Sequence, residues 1–209
     1  MIVTTVTIFI TWFSLTVIVP EMRSRWSAPL AAILSSIAIY RVFAWFLGWL
    51  IERWLWLKSF VFGPYFMQGT WVGHFTGRAG DIRYIVEHFE QTIDGLTIRG
   101  QSFTETGSSH ANWTTEAATI DAERGRLIYT YSCDILTRGV VLQGVGVFHF
   151  DRVDQFSQAR TIEGHVADLI DGIRLHSLET KISDRLITIT DALSQAKSAT
   201  KELREKRAK

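Results

Sequence analysis

The residues of this 209-residue chain with chemical potential are six histidines, one cysteine, and a scatter of aromatic and arginine side chains. His74, His88, His110, His149, His165 and His176 show neither His-x-His spacing nor another metal-type cluster, and Cys133 has no cysteine partner. No metal site is therefore expected. There is no Walker loop and no nucleophile elbow, and Gly144-Val145-Gly146, set inside a strand pattern, is too short for a phosphate loop. The chain reads as a protein without catalysis and without a cofactor, although an active site dispersed over several strands leaves no mark in spacing. Cys133 lies in an apolar alternation and reads as a buried structural thiol. A single cysteine excludes an internal disulfide framework and fits a reducing compartment.

Non-covalent recognition is better provided for. Trp71, Tyr84, Trp113, Tyr129 and Tyr131 offer flat faces on which bases stack. Residues 64–196 hold eleven Lys/Arg against seventeen acids, a net of −6, which argues against general attraction of a phosphate ligand and against a DNA or RNA partner. An anionic ligand needs local donors, and Arg78, Arg83, Arg99, Arg138 and Arg174 are the candidates. The ligand-binding set expected from this chemistry is Trp71, Arg83, Tyr84, Arg99, Tyr129, Tyr131 and Arg138.

The elements that carry these side chains have period-two patterning between Gly, Asp and Asn turns. Strands are expected at 69–77, 82–92, 96–104, 113–120, 126–136, 139–151, 158–168 and 173–182. Eight strands on short loops, with no helix between them, predict an antiparallel meander. Closure removes its edges, so an up-and-down β-barrel is the expected fold over 63–183. Along 126–136, Leu127, Tyr129, Tyr131, Cys133 and Ile135 share one face. Along 139–151, Val140, Leu142, Phe148 and Phe150 share a face with Gly144 and Gly146. Those glycines either leave room for a ligand or permit a sharp strand bend.

Both flanks are basic, with a net of +3 over 1–63 and +4 over 197–209. Residues 2–19 carry no charge, and 28–51 carry one, Arg41. Each run is long enough to cross the hydrocarbon core, at about 27 Å for eighteen helical residues. The polar connector 21–27 makes them a transmembrane α-hairpin over 1–62. A cleaved signal peptide fits less well, since no positive n-region precedes the first run and no small-residue cleavage site ends it. Trp45, Trp49, Trp54 and Trp56 form an aromatic belt. Arg41 either snorkels or lines a helix–helix interface together with Trp45 and Trp49 when several anchors assemble. Arg23 and Arg25 in the connector against Arg53 and Lys58 after the second run leave the positive-inside count undecided, and the basic tail and lone thiol point to a soluble domain on the cytoplasmic side. Over 184–209 a basic helix or tail is expected, capped by Ser183 or Asp184, either solvated or touching the membrane surface.

This order of parts resembles a family. Paired apolar runs at 2–19 and 28–51, then Gly69-Thr70-Trp71-Val72-Gly73-His74-Phe75 opening a sheet, are similar to the CD-NTase-associated protein fifteen family. These are two-transmembrane, β-strand-rich effectors of bacterial cyclic-oligonucleotide antiphage signalling (CBASS). The resemblance covers essentially the whole chain and rests on architecture more than on any motif. It implies a two-pass inner-membrane protein whose barrel binds a cyclic dinucleotide made by a partner synthase. Binding then drives homo-oligomerisation, and the helices disrupt the bilayer in abortive infection. Gly69-Thr70-Trp71 also resembles the Gly-x-Trp opening of lipocalins, which implies a membrane-tethered carrier of an apolar small molecule. A third option is a structural envelope protein whose barrel binds another protein.

Overall fold

A computed structural model describes residues 27–207 apart from 78, 79, 151, 153, 155, 156 and 171. The chain divides into two compact units, Met1–Lys58 and Ser59–Lys209. In the first, helix α1 spans Ser27–Arg53 and is followed directly by α2, Leu55–Phe62, which runs on past the division. The first apolar run of the expected hairpin lies outside the described residues. Among the described residues no helix is long and apolar enough to cross a membrane. Arg41, Trp45 and Trp49 recur every four residues and so share one face of α1. All three are exposed.

The second unit is the expected closed barrel. Its strands are β1 Gly69–Thr76, β2 Ile82–Thr92, β3 Gly95–Phe103, β4 Ser109–Asp121, β5 Arg126–Ile135, β6 Val140–Phe150, β7 Thr161–Asp168 and β8 Arg174–Ser183. Each pairs antiparallel with the next, and β8 returns to β1. The order is that of the chain, so no crossover connection is needed.

Two strand starts differ from expectation by more than one residue. β4 begins at Ser109 rather than 113, because the small polar residues 107–112 look like a turn. Only 104–108 turns, closed by Thr104 N–H donating to the Ser108 carbonyl at 2.9 Å, and the ladder to β3 draws in the rest. β7 begins at Thr161 rather than 158, and Ala159 before it is fully buried in the core. A bulge between Thr115 and Ala117 also shifts the alternation of β4. Trp113 therefore points inward, and so do Ala118 and Ile120 on the opposite parity.

The C-terminal helix α3 spans Ile189–Arg207 and corrects the expected cap. Ser183 ends β8, and Asp184 pairs with Lys181 at 2.7 Å. Thr188 is the cap: its Oγ1 accepts from Asp191 N–H at 3.3 Å and donates to Asp191 Oδ2 at 2.6 Å. The connector is pinned by Thr70, whose Oγ1 donates to the Arg185 carbonyl and accepts from Ile187 N–H. α3 then lies against the outer face of β1 and β2. There Ala192 and Ala196 pack on Val72, Val86 and Phe103, with Tyr84 and Leu193 at the edge.

Inside the barrel, one end is packed solid. Met67, Trp71, Phe89, Ile98, Leu127, Phe148 and Ile162 fill it, each at most 1% exposed. The chain entering β1 is tied across this end by Gln91, which accepts from Met67 N–H and donates to the Tyr65 carbonyl, both at 2.8 Å. Trp71 Nε1 donates to the Met67 carbonyl at 2.9 Å. The opposite end carries the β1–β2, β3–β4, β5–β6 and β7–β8 loops and is open.

Candidate functional site

The open half of the barrel holds a cavity of about 450 Å³. That volume falls in the range of small-molecule sites, roughly 300–1,000 Å³. Every strand contributes inward side chains to its wall. Alternation decides which ones: Arg83, Ile85 and Glu87 from β2, Tyr129, Tyr131 and Cys133 from β5, Ser177 and Glu179 from β8.

Glycines on neighbouring strands give the large rings their positions. Tyr129 faces Gly146 and Tyr131 faces Gly144 across the β5–β6 ladder. A Cβ at Gly146 would lie 2.6 Å from the Tyr129 ring, and one at Gly144 would lie 2.3 Å from the Tyr131 hydroxyl. The space beside these two glycines is not left for a ligand, because the tyrosine rings occupy it. Gly100 does the same for Trp113. Glu87, Gly100 and Trp113 stand in one row across β2, β3 and β4. The indole crosses over Gly100, so that Nε1 donates to Glu87 Oε1 at 2.7 Å.

Glu87 is one of two glutamates at the floor of the cavity. The other, Glu179, accepts from Ser177 Oγ at 2.9 Å. Both residues are 1% exposed. They flank β1, where Gly73 stands opposite Glu179, and a Cβ at Gly73 would lie 2.7 Å from the Glu179 Cγ. Burial raises the Glu87 carboxyl above its ordinary range, against the lowering effect of its hydrogen bonds with Glu179 and Trp113. Burial, and then the charge of Glu87, hold Glu179 well above that range. The same burial, with both glutamates nearby, raises the Tyr129 phenol. Tyr131 is raised by burial and then by Cys133 and Asp168.

The mouth is different. Arg83 is ion-paired with Asp81, and Arg138 is exposed in the turn after β5. Beside them, burial and the Arg83 charge lower the His110 imidazole. Around this rim Val141, Leu169, Ile170 and Ile173 expose apolar surface.

Of the seven residues expected to bind ligand, Arg83, Tyr129, Tyr131 and Arg138 line the cavity. Three do not. Trp71 is fully buried in the packed end, stacked on Phe89 with ring centroids 5.1 Å apart. Tyr84 points outward beneath α3, with Lys197 Nζ 5.8 Å from its ring centre. Arg99 also points outward and pairs with Glu90 at 2.9 Å. Cys133 was expected to be a structural core thiol; it is half-buried in the cavity wall. Burial and the Asp134 and Asp168 carboxylates push its thiol up to about 11.

Glu87, Glu179 and Asp168 were missed. The signal in the sequence is partial: Glu87 shares its parity with Ile85 and Phe89, and a buried charge is costly unless it has work to do, but the opposite parity, Tyr84 and Val86, is equally apolar. Among the described residues no group of His, Cys, Asp and Glu could hold a metal ion.

No protein-family model and no curated protein matches this chain. Among solved structures it is similar to a redesigned β-barrel, mFAP1, bound to DFHBI. That match is 16% identical, with a TM-score of 0.43, over 57% of this chain and 98% of that one. A second similar structure, a fluorescence-activating β-barrel designed de novo, is 13% identical, with a TM-score of 0.34, over 56% of this chain and 94% of that one. Scores and identities this low say nothing about the ligand of this chain.

Proposed function

We propose that the barrel is a receptor for a small aromatic ligand with hydrogen-bonding edges, and that a cyclic dinucleotide is that ligand. The observation that carries this is the hollow itself: aromatic walls from Trp113, Tyr129 and Tyr131, carboxylates at the floor, and Arg83 and Arg138 at the mouth. Aromatic faces stack bases, and arginine forks suit phosphates. The resemblance in the order of parts supplies the rest of the reading. Ligand made by a partner synthase binds the barrel and assembles copies of the chain. The N-terminal apolar runs, in the bacterial inner membrane with the barrel on the cytoplasmic side, then disrupt the bilayer. The exposed stripe of Arg41, Trp45 and Trp49 on α1 supports a lipid-facing or self-associating helix.

Thermal melting of the full-length chain in detergent tests the ligand. A cyclic dinucleotide at one hundred times its dissociation constant stabilises the barrel by about 2.7 kcal/mol through linkage. A complete panel of cyclic dinucleotides that leaves melting unchanged sinks the reading. The apolar-carrier alternative has one observation in its favour, the exposed rim of Val141, Leu169, Ile170 and Ile173. Stabilisation by fatty acids or retinoids alone would establish it.

A further inference from the structure

The two buried glutamates are the feature that the receptor reading leaves unused. Glu87 Oε1 is taken by the Trp113 indole and Glu179 Oε1 by the Ser177 hydroxyl. The remaining oxygen of each, Oε2, is fully buried and takes no hydrogen bond from any group other than the neighbouring carboxyl. Two carboxylates can satisfy one another only through a proton held between them, because an ionised carboxylate is acceptor-only. Ser102 Oγ, on the same cavity wall, is also buried without a partner. What the floor leaves open to a ligand is two carboxylate oxygens and one hydroxyl, which can accept as well as donate.

We propose that Glu87 and Glu179 form the recognition floor of the cavity, taking the N–H edge of a planar aminopurine- or amidine-type group and giving up the proton they share when it binds. This inference rests on the receptor reading and fixes the ligand's direction in the site. Phosphates are excluded from the floor by like charge and lie at the mouth beside Arg83 and Arg138, while a base enters first with its N–H groups leading. A fork of two N–H donors meets two acceptor oxygens in a site where unmet acceptors are costly, and a ligand lacking those donors leaves them unmet.

The other titrating groups do not replace the pair in this role. Tyr129 and Tyr131 face it from β5, and their phenols are held neutral. Cys133, on the same strand, is a thiol at neutral pH. Asp168 on β7 adds negative charge to the wall, and His110 on β4 sits at the mouth with its protonated form disfavoured. The cations on the neighbouring inward positions are already engaged, Arg83 with Asp81 and Lys181 with Asp184. The exchangeable proton belongs to Glu87 and Glu179. Both carboxyls lie above their ordinary range, so the proton competes with ligand, and affinity rises with pH through that interval.

Titration calorimetry on the full-length chain in detergent, run in two buffers of different ionisation enthalpy, counts protons released on binding. Two probes serve: cyclic di-GMP, whose guanine presents a two-donor edge, and benzamidine, which carries the fork without phosphate. The expected result is release of a proton with either probe, and affinity at least tenfold weaker in Glu179→Gln, which loses the release. Glu87→Gln is the second variant, and an unchanged fold is checked by melting without probe. If benzamidine binds with proton release and cyclic di-GMP does not, the floor stands and the dinucleotide reading falls. If cyclic di-GMP binds both variants as it binds the natural chain, with no proton released, the floor falls and the receptor reading stands. Binding of neither probe overturns the floor.

Discussion

The inward faces of the eight strands fill the two ends of the barrel in different ways. Toward the closed end, Met67, Phe89, Leu127 and Phe148 interdigitate, and the Tyr129 and Phe148 rings stack at 5.8 Å. Toward the open end, the same alternation delivers Glu87, Tyr131, Asp168 and Glu179 around a hollow. The same eight strands run through both halves, so apart from the bulge in β4 that changes its inward parity, the difference lies in the side chains. The packed half supplies apolar burial, roughly 25 cal/mol per Å² removed from water. That lets the other half keep groups whose burial is unfavourable.

The largest effect should come from breaking the packed half. Phe148→Ala removes a fully buried ring from the closed end and is expected to destabilise by about 3–5 kcal/mol. Urea or thermal unfolding followed by far-UV circular dichroism reads this directly. A loss below about 1 kcal/mol would mean that the plug is not what holds the barrel together.

A substitution at the boundary tests whether the open half depends on shape. Gly100→Ala places a methyl 2.0 Å from the Trp113 indole. The indole must move, and overpacking of this kind costs about 1–3 kcal/mol. It also withdraws Nε1 from Glu87, so probe binding should weaken by more than the loss of stability explains. Equal melting with lost binding would sharpen the division between the halves.

Acidity separates the halves further. Both floor glutamates have raised carboxyl pKa values in the fold, so between the ordinary value of 4.5 and the raised ones the folded chain holds protons that the unfolded chain has released. Their contribution is present below the ordinary value and is lost as pH rises through the raised ones. Melting temperature should therefore fall with rising pH across that interval, and the fall should flatten in the double variant Glu87→Gln/Glu179→Gln. A pH profile indifferent to these two substitutions would show that the pair is not the site of proton uptake.

The same contrast marks what the sequence revealed. Closure and strand count were legible because eight alternating runs sit between unmistakable turns, and β2 was expected over the residues it occupies. Which face of β1 and β2 points inward was not. α3 covers their outer surface, so Tyr84 and Val86 look as core-like as Ile85 and Phe89. The helix start was misplaced because Ser183 and Asp184 are good caps by type, whereas Asp184 was already engaged by Lys181. Glu87 and Glu179 were invisible as a pair, since they lie ninety-two residues apart and meet only because β8 closes on β1. Closure is a non-local event that residue spacing does not encode.

The smallest expected effect concerns a residue that composition alone would assign to the ligand. Arg99 carries the same guanidinium as Arg83, yet it stands on the outward parity of β3. Its side chain is 61% exposed and bound to Glu90. Exposed pairs of this kind contribute about 0.2–1 kcal/mol, so Arg99→Ala should lower melting only slightly and leave probe affinity unchanged. Arg138→Ala, at the mouth, should weaken cyclic di-GMP while sparing benzamidine, which has no phosphate to meet it. If Arg99→Ala weakened cyclic di-GMP as much as Arg138→Ala does, attraction would come from the overall field of the barrel rather than from its mouth. Inward and outward arginines would then be equivalent. Raising the salt concentration distinguishes the two cases, because a general field is screened over a Debye length of about 10 Å at 0.1 M while a contact at the mouth persists.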